Sequence, residues 1–255
     1  MKIRIILFAS LIVLVILFWI TLPSKKVEVI FCDVGQGDAA LVTYKNWQML
    51  IDTGPNNKKV LTCLENNLPF WDKKIELILI THGDSDHAGG LEDISKYYKI
   101  EQSIYSKNVS QFDLIKTDWM AFEVVNPREK IKKEEDNNKN SIAGILTYWD
   151  NKLKTEVKIF MAADIDLETE QRLVWQGILE EPVGILKVSH HGSKDGTSEE
   201  LLNVLKPKLA VISVGSKNRF GHPTKEVLDR LKEKGIEIRR TDIEGEVFAN
   251  NLILR

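Results

Sequence analysis

Cysteine is nearly absent from this chain: Cys32 and Cys63 are the only two in 255 residues. Two are too few for a disulfide framework, and with no CxxC pair a cysteine zinc site is excluded. Cys32 ends the apolar stretch VEVIFC and reads as a buried thiol rather than half of a bridge. Net charge is also scarce, at −2. No global basic field advertises nucleic acid, although a local patch would suffice. There is no internal repeat at the level of elements. No GxSxG occurs around Ser193 in HHGS, so a serine nucleophile elbow is not part of the reading.

The N-terminus does carry a long apolar run. From Ile3 to Leu22 only Arg4, Ser10 and Thr21 interrupt it, and about 20 such residues span a bilayer as a helix. The run ends FWITLPSKK, without the small-x-small site of a cleaved leader. Residues 1–24 therefore read as a single-pass anchor, with secretion after cleavage as the alternative. Lys2 and Arg4 before the run and Lys25 and Lys26 after it give a slight bias toward an internal N-terminus and an external domain. Residues 27–255 form the folded domain.

Its pattern is strands first, then strands mixed with helices. VEVIFC, DAALVTY, WQMLID, IELILI, IEQSIYS and MAFEVVNP read as strands, and SIAGILTYW with EVKIFMAAD as a hairpin. VGILKVS, KLAVISVG, IEIRRT and GEVFANN are further strands. Helices are expected at Asn57–Asn66, after the motif at 81–90, and in IDLETEQRLVWQ, SEELLNVLK and TKEVLDRLKEKG. Arg128–Asn140 is almost wholly polar and reads as a solvated loop, a candidate lid. Sheets in the middle with helices outside follow from this order.

Chemistry gathers where strands end. THGDSDHAGG follows the strand IELILI and packs His82, Asp84, Asp86 and His87 into six positions. His190 and His191 follow VGILKVS, His222 sits in NRFGHPT, and Asp33, Asp38, Asp52 and Asp164 follow other apolar strands. A carboxylate at the end of a buried strand is costly unless it is paired or metal-bound. A helix cap explains one such aspartate, but the same accident at so many strand ends is a poor account. Mixed imidazole and carboxylate suits divalent cations, and the spacing suits two of them.

The sequence resembles the metallo-β-lactamase superfamily, and more narrowly the extracellular hydrolase domain of ComEC-type competence DNA-uptake proteins. The stretches that carry the resemblance are DVGQGDAALV, IDTG, THGDSDHAGG, IFMAAD, KVSHHGS, ISVGSKNRFGHPT and RTDIEG. It implies an α/β (α+β) fold, the αββα sandwich, with two divalent metal ions, zinc or manganese, at one edge. His82 and Asp84 would hold the first ion; Asp86, His87 and one of the paired histidines the second; Asp164 would bridge. His190 is preferred for the paired position, with His191 close behind. Asp33, Asp38 and Asp52 would accept hydrogen bonds from ligand rings, and the glycines around them would let backbone approach closely. The chain departs from the superfamily pattern by having Asp84 where a histidine is common and no histidine between His87 and His190; Asn137, Asn138 or Asn140 stands near that gap.

The expected chemistry is hydrolysis of a phosphodiester by a metal-bound hydroxide, with Asp86, Asp164 and His222 acting in the reaction. DNA is the expected substrate, with Lys187, Lys194, Lys217 and Arg219 as a basic strip. His191, Ser193, Lys194 and Asn218 are placed around the substrate. No obligate protein partner is expected; the membrane is one, through the N-terminal segment. The alternatives are a phosphorylcholine esterase of the cell envelope, which needs an aromatic cage drawn from Trp47, Trp71, Trp119, Trp149 or Trp175, and a metal-free binding module.

Overall fold

The computed structural model describes residues 11–12, 23–132 and 137–249. The anchor reading for residues 1–24 lies almost wholly outside these. No helix among the described residues is long and apolar enough to cross a membrane.

Two sheets face each other. The first has six strands in the order β13-β1-β2-β3-β4-β5: β1 (Glu28–Phe31), β2 (Ala40–Tyr44), β3 (Trp47–Ile51), β4 (Lys74–Ile80), β5 (Lys99–Tyr105) and β13 (Val247–Phe248). The second has seven in the order β12-β11-β10-β9-β8-β7-β6: β6 (Leu114–Lys116), β7 (Met120–Asn126), β8 (Ala143–Asp150), β9 (Thr155–Met161), β10 (Ile185–Lys187), β11 (Leu209–Ile212) and β12 (Glu237–Arg240). As expected, β8 and β9 pair antiparallel, in register from Gly144 with Met161 to Asp150 with Thr155. From β9 onward the strands run parallel through β10 and β11 to β12.

Alternation along the strands builds three apolar layers. Val29 and Phe31 of β1, Met49 and Ile51 of β3, and Leu77 and Leu79 of β4 turn inward. They meet Phe122, Leu146, Ile159 and Val211 from the second sheet. The opposite faces, through Ile30, Leu50 and Ile78, pack under α1 (Lys59–Asn67) and α3 (Leu91–Tyr97). On the far side Phe160, Leu186 and Ile212 pack under α4 (Leu167–Trp175), α5 (Glu199–Leu205) and α6 (Lys225–Glu233). A side chain such as Phe160, with no surface exposed, stabilises the fold by about 1.5–3 kcal/mol over leaving it in water. Strands covered on both faces read as near-continuous apolar runs, which is why they were visible in the sequence.

Three features differ from expectation. Strand β6 is a three-residue edge element that no pattern announced. TDIE forms a one-turn helix, α7 (Thr241–Glu244), between the two closing strands. Cys32 and Cys63 are both buried but form a disulfide, with Cα atoms 5.8 Å apart, and so are not free thiols. The bridge joins the end of β1 to α1. In the polar loop, residues 133–136 lie outside the described residues. Its end forms a single 3-10 turn at Asn138–Asn140, capped by the Asn137 side chain.

Candidate metal centre

The predicted residues converge at one edge of the sandwich, where β1, β3, β4, β9, β10 and β11 end. Backbone contacts lace these loops together. Asp38 N donates to Asp86 O at 3.1 Å, and Thr53 N to His87 O at 2.6 Å. Gly37 is required here: its φ is +144°, and a Cβ would sit 2.3 Å from Asp86 O. The four-residue helix α2 (Ser85–Ala88) then turns Asp86 and His87 inward.

At the centre, His87 Nε2 lies 3.3 Å from Asp164 Oδ1, and His191 Nε2 lies 3.3 Å from Asp86 Oδ2 and 3.7 Å from Asp164 Oδ2. The His82 and His87 rings are 4.1 Å apart between centroids. Among the described residues four overlapping groups form, each with donor atoms within 4.8 Å of one another; two of them, His82 with His87 and Asp164, and Asp86 with His87 and His191, face the open edge, and the other two add Asp38 and Asp52 behind the rings. His87 belongs to three of the four. Asp84 stands at the rim, its Oδ2 3.6 Å from His82 Nε2.

Buried polar atoms are almost always hydrogen-bonded. Yet His82 Nε2, His87 Nε2, His191 Nε2 and Asp164 Oδ1 are buried without a hydrogen-bond partner. Donors of one kind of lone pair, aimed at a common point and satisfied by nothing else, fit divalent cations of the zinc or manganese type.

The outer nitrogens of two of these rings are held. His87 Nδ1 donates to Asp52 Oδ2 at 2.8 Å, and Asp52 accepts in addition from Thr81 N and Thr81 Oγ1, each at 2.8 Å. His191 Nδ1 faces Ser213 O at 3.0 Å and Asp38 Oδ1 at 3.3 Å. Such partners fix the tautomer that leaves Nε2 free. Asp38 is itself held by Lys187, whose Nζ is 2.7 Å from Asp38 Oδ2. Lys187 is the one buried lysine or arginine among the described residues.

Electrostatics follow from this crowding. For His87, burial opposes protonation, but Asp164 and Asp52 outweigh it and raise its pKa well above the usual value. Burial likewise opposes the His191 cation, and Asp164 and Asp38 raise it to about 9. Burial works against the charge on Asp164, yet His87 and His191 hold it well below the carboxylate range. Asp86 is lowered against burial by His191 and His87, and Asp84 is lowered by the His82 ring 3.6 Å away. Burial, then His190 and His191, push His222 down.

Several expected placements change. Of the paired histidines, His191 is buried among the donors, while His190 is about a third exposed, with Nε2 3.7 Å from Asp164 Oδ2 and 3.4 Å from Asn138 Nδ2. Both have left-handed backbones, φ +46° and +54°, a conformation that costs of order 1–3 kcal/mol each and clusters at functional sites. Asp33 does not reach a ring; it accepts from Gly35 N and pairs with Lys59 at 3.1 Å. Asn218 spends its amide on its own loop, donating to Gly215 O and His222 O and accepting from Phe220 N and His222 N. Ser193 shapes the turn after the histidines: its N donates to His190 O and its Oγ accepts from Asp195 N. Lys194 is exposed, and Lys187 is interior, so the basic strip loses one member. Glu170 was missed altogether: from α4 it accepts from Ser189 Oγ, Thr197 N and Ser198 N and braces the loop that carries both histidines.

Two sheets flanked by helices, with this donor set at their edge, have the architecture of the metallo-β-lactamase fold. Residues 32–136 match the family model for the metallo-beta-lactamase superfamily. The chain is 28% identical to ComE operon protein 3 of Bacillus subtilis (strain 168), over 92% of the chain and 34% of that protein. It is 28% identical to Competence protein ComA of Neisseria gonorrhoeae, over 88% of the chain and 32% of that protein. The chain thus spans about a third of the length of these relatives. Among solved structures, the metallo-beta-lactamase fold protein YhfI from Bacillus subtilis superposes with a TM-score of 0.55 at 8% identity, covering 88% of this chain and all of that one.

Proposed function

We propose that this chain is a metal-dependent phosphodiesterase that cleaves DNA at the outer face of a cell membrane. The observation that carries the metal dependence is the set of buried, unpartnered Nε2 and carboxylate oxygen atoms on His82, His87, His191 and Asp164. These residues, with Asp86, would hold two divalent ions, and Asp84 would complete the rim of the first. Bound there, the ions supply a Lewis acid that activates water and offsets charge on a phosphoryl group. Asp52 keeps the His87 ring, and the Ser213 carbonyl the His191 ring, in the ligand tautomer. The lowered pKa of His222 leaves its ring neutral near pH 7, suited to donating a hydrogen bond to a phosphoryl oxygen rather than to serving as a resident acid.

Similarity to the competence proteins supports DNA as the substrate. A phosphorylcholine esterase needs an aromatic cage. Trp47 and Trp119 instead pack on each other, 5.2 Å apart, and the rings beside the site histidines are histidines and Phe220. The outward placement is supported by the apolar run Ile3–Leu22 and by the Cys32–Cys63 disulfide, since such bonds persist in oxidising surroundings.

The test uses the full chain, stripped of metal and reloaded with manganese or zinc. It is incubated with single- and double-stranded DNA and with a phosphorylcholine ester. DNA cleavage that needs metal and is lost in Asp164→Ala supports the proposal. Phosphorylcholine release without DNA cleavage would move the chain to envelope remodelling. Failure to bind metal would leave a binding module.

A further inference from the structure

The segment Lys217–His222 follows β11 and is wound around the Asn218 amide. This winding holds the backbone of Phe220 and turns its ring outward, about half exposed at 54%. A single exposed apolar residue is ordinary. Phe220 is distinguished by its neighbours. Its ring stacks on His222 at 5.7 Å and 25°, and the Arg219 guanidinium lies 5.3 Å from its centroid. The His222 ring is 5.8 Å from that of His190, whose Nε2 is 3.7 Å from Asp164 Oδ2. A row of planar groups therefore runs from Asp164 to solvent and ends in a phenyl ring and a guanidinium.

We propose that Phe220 and Arg219 form the stacking platform for a nucleobase of the substrate, so that the phosphodiester presented to the metal centre belongs to a nucleotide. This rests on the phosphodiesterase reading above and adds the residues that would hold the base beside the scissile phosphate. Bases offer a flat, neutral π face, and both aromatic rings and guanidinium planes accept it irrespective of sequence. Lys217 and Arg219 on the same segment attract the attached phosphates. A quaternary ammonium is disfavoured at this ring, because the Arg219 cation is already there. The platform takes the base of a DNA strand or of a small cyclic nucleotide by the same chemistry.

The experiment compares wild type, Phe220→Ala and Phe220→Tyr as full chains loaded with manganese, with metal content measured for each. Substrates are an oligothymidylate, an abasic strand of equal length and a cyclic mononucleotide. On the oligothymidylate, Phe220→Ala should raise KM by roughly tenfold and Phe220→Tyr should restore it. On the abasic strand, wild type and Phe220→Ala should be equal. The same dependence on the cyclic mononucleotide alone would make free nucleotides the source and still support the platform. Equal losses with and without bases, or no loss at all, would overturn it while leaving the phosphodiesterase reading intact. Metal-loaded wild type that cleaves none of the three would remove that reading, and the platform with it.

Discussion

Asp52→Asn exchanges one oxygen for an amide nitrogen and leaves the volume unchanged, yet it should weaken metal binding at this centre. Asp52 is almost wholly buried and accepts three hydrogen bonds: Thr81 N to Oδ1, and Thr81 Oγ1 and His87 Nδ1 to Oδ2, all at 2.8 Å. The Thr81 backbone N–H can only donate, so the asparagine oxygen must stay at the Oδ1 position. Its NH2 then faces His87 Nδ1, which has to become an acceptor. The ring proton moves to Nε2, the nitrogen that points toward Asp164 from 3.3 Å, and the lone pair available to a metal is lost. Loss of a partner behind a ligand typically costs 10–100-fold in metal affinity, or about 1.4–2.7 kcal/mol. His87 belongs to three of the four candidate donor groups, so metal binding at this centre should weaken toward the upper end of that range. Affinity would be read by competition with a chromophoric chelator, and the tautomer by nitrogen-15 NMR of the histidine rings. Asp52→Ala separates this effect from folding: it leaves the buried Thr81 N–H unsatisfied, at about 1–3 kcal/mol, whereas the asparagine variant should melt closer to wild type. Unchanged metal affinity in a folded Asp52→Asn protein would refute the reasoning.

Other expectations follow from the same geometry. Lys187→Met should leave Asp38 buried and uncompensated, at about 3–5 kcal/mol; denaturant unfolding checks this, and a change under 1 kcal/mol, on the order of a surface pair, would show that Lys187 is dispensable. Replacing Cys32 and Cys63 together by alanine opens a loop with a separation of 31 residues; loop-closure entropy gives a loss of roughly 3–4 kcal/mol, visible as a lower melting temperature and absent if the thiols are reduced in the native protein. The pH dependence should have opposite signs with and without metal. In the metal-free protein, His191 is raised to about 9 and His87 also upward, so their ion pairs stabilise fully below the ordinary histidine value of about 6.5. That stability should be lost as pH rises toward about 9. Metal affinity should rise across the same window, because binding displaces those protons; parallel slopes in chelator-treated and metal-loaded melting curves would contradict the assignment.

The frame was legible because its strands are covered on both faces. IELILI and KLAVISVG could hardly be anything but buried strands, and the groups that follow them had to be paired or ligating. What escaped lies in long-range juxtaposition. Cys32 and Cys63 are brought together only once the β2–β3 hairpin has returned the chain to α1, and nothing local reports that closure. Strand β6 is too short to show alternation. Lys187 is instructive, because a signal was present. In VGILKVS, Ile185 packs between the sheets and Leu186 under the outer helices. Period-two alternation therefore puts Lys187 on the inner side with Ile185. A lysine there has to find a carboxylate, and Asp38, in the turn just before β2, is the one that meets it.

The paired histidines show where pattern reasoning stops. The strand rule would have separated His190 and His191 to opposite faces, but β10 ends at Lys187 and both residues adopt left-handed backbones. Neither parity nor adjacency then assigns the ligand. What stands behind each ring is what favours His191. His191 has Ser213 O and Asp38 Oδ1 at its Nδ1, which leaves Nε2 aimed at Asp86 and Asp164. His190, about a third exposed, has Nε2 3.7 Å from Asp164 but 3.4 Å from the Asn138 amide, on the half-open side of the site. The same logic holds at His87, which is fixed by Asp52. In each case the motif supplies the ring and a distant part of the chain, the Asp52 carboxylate or the Ser213 carbonyl, supplies the acceptor that decides which nitrogen is free. A donor set of this kind is therefore a property of the closed sandwich, and the bracing acceptors are as diagnostic of it as the histidines they hold.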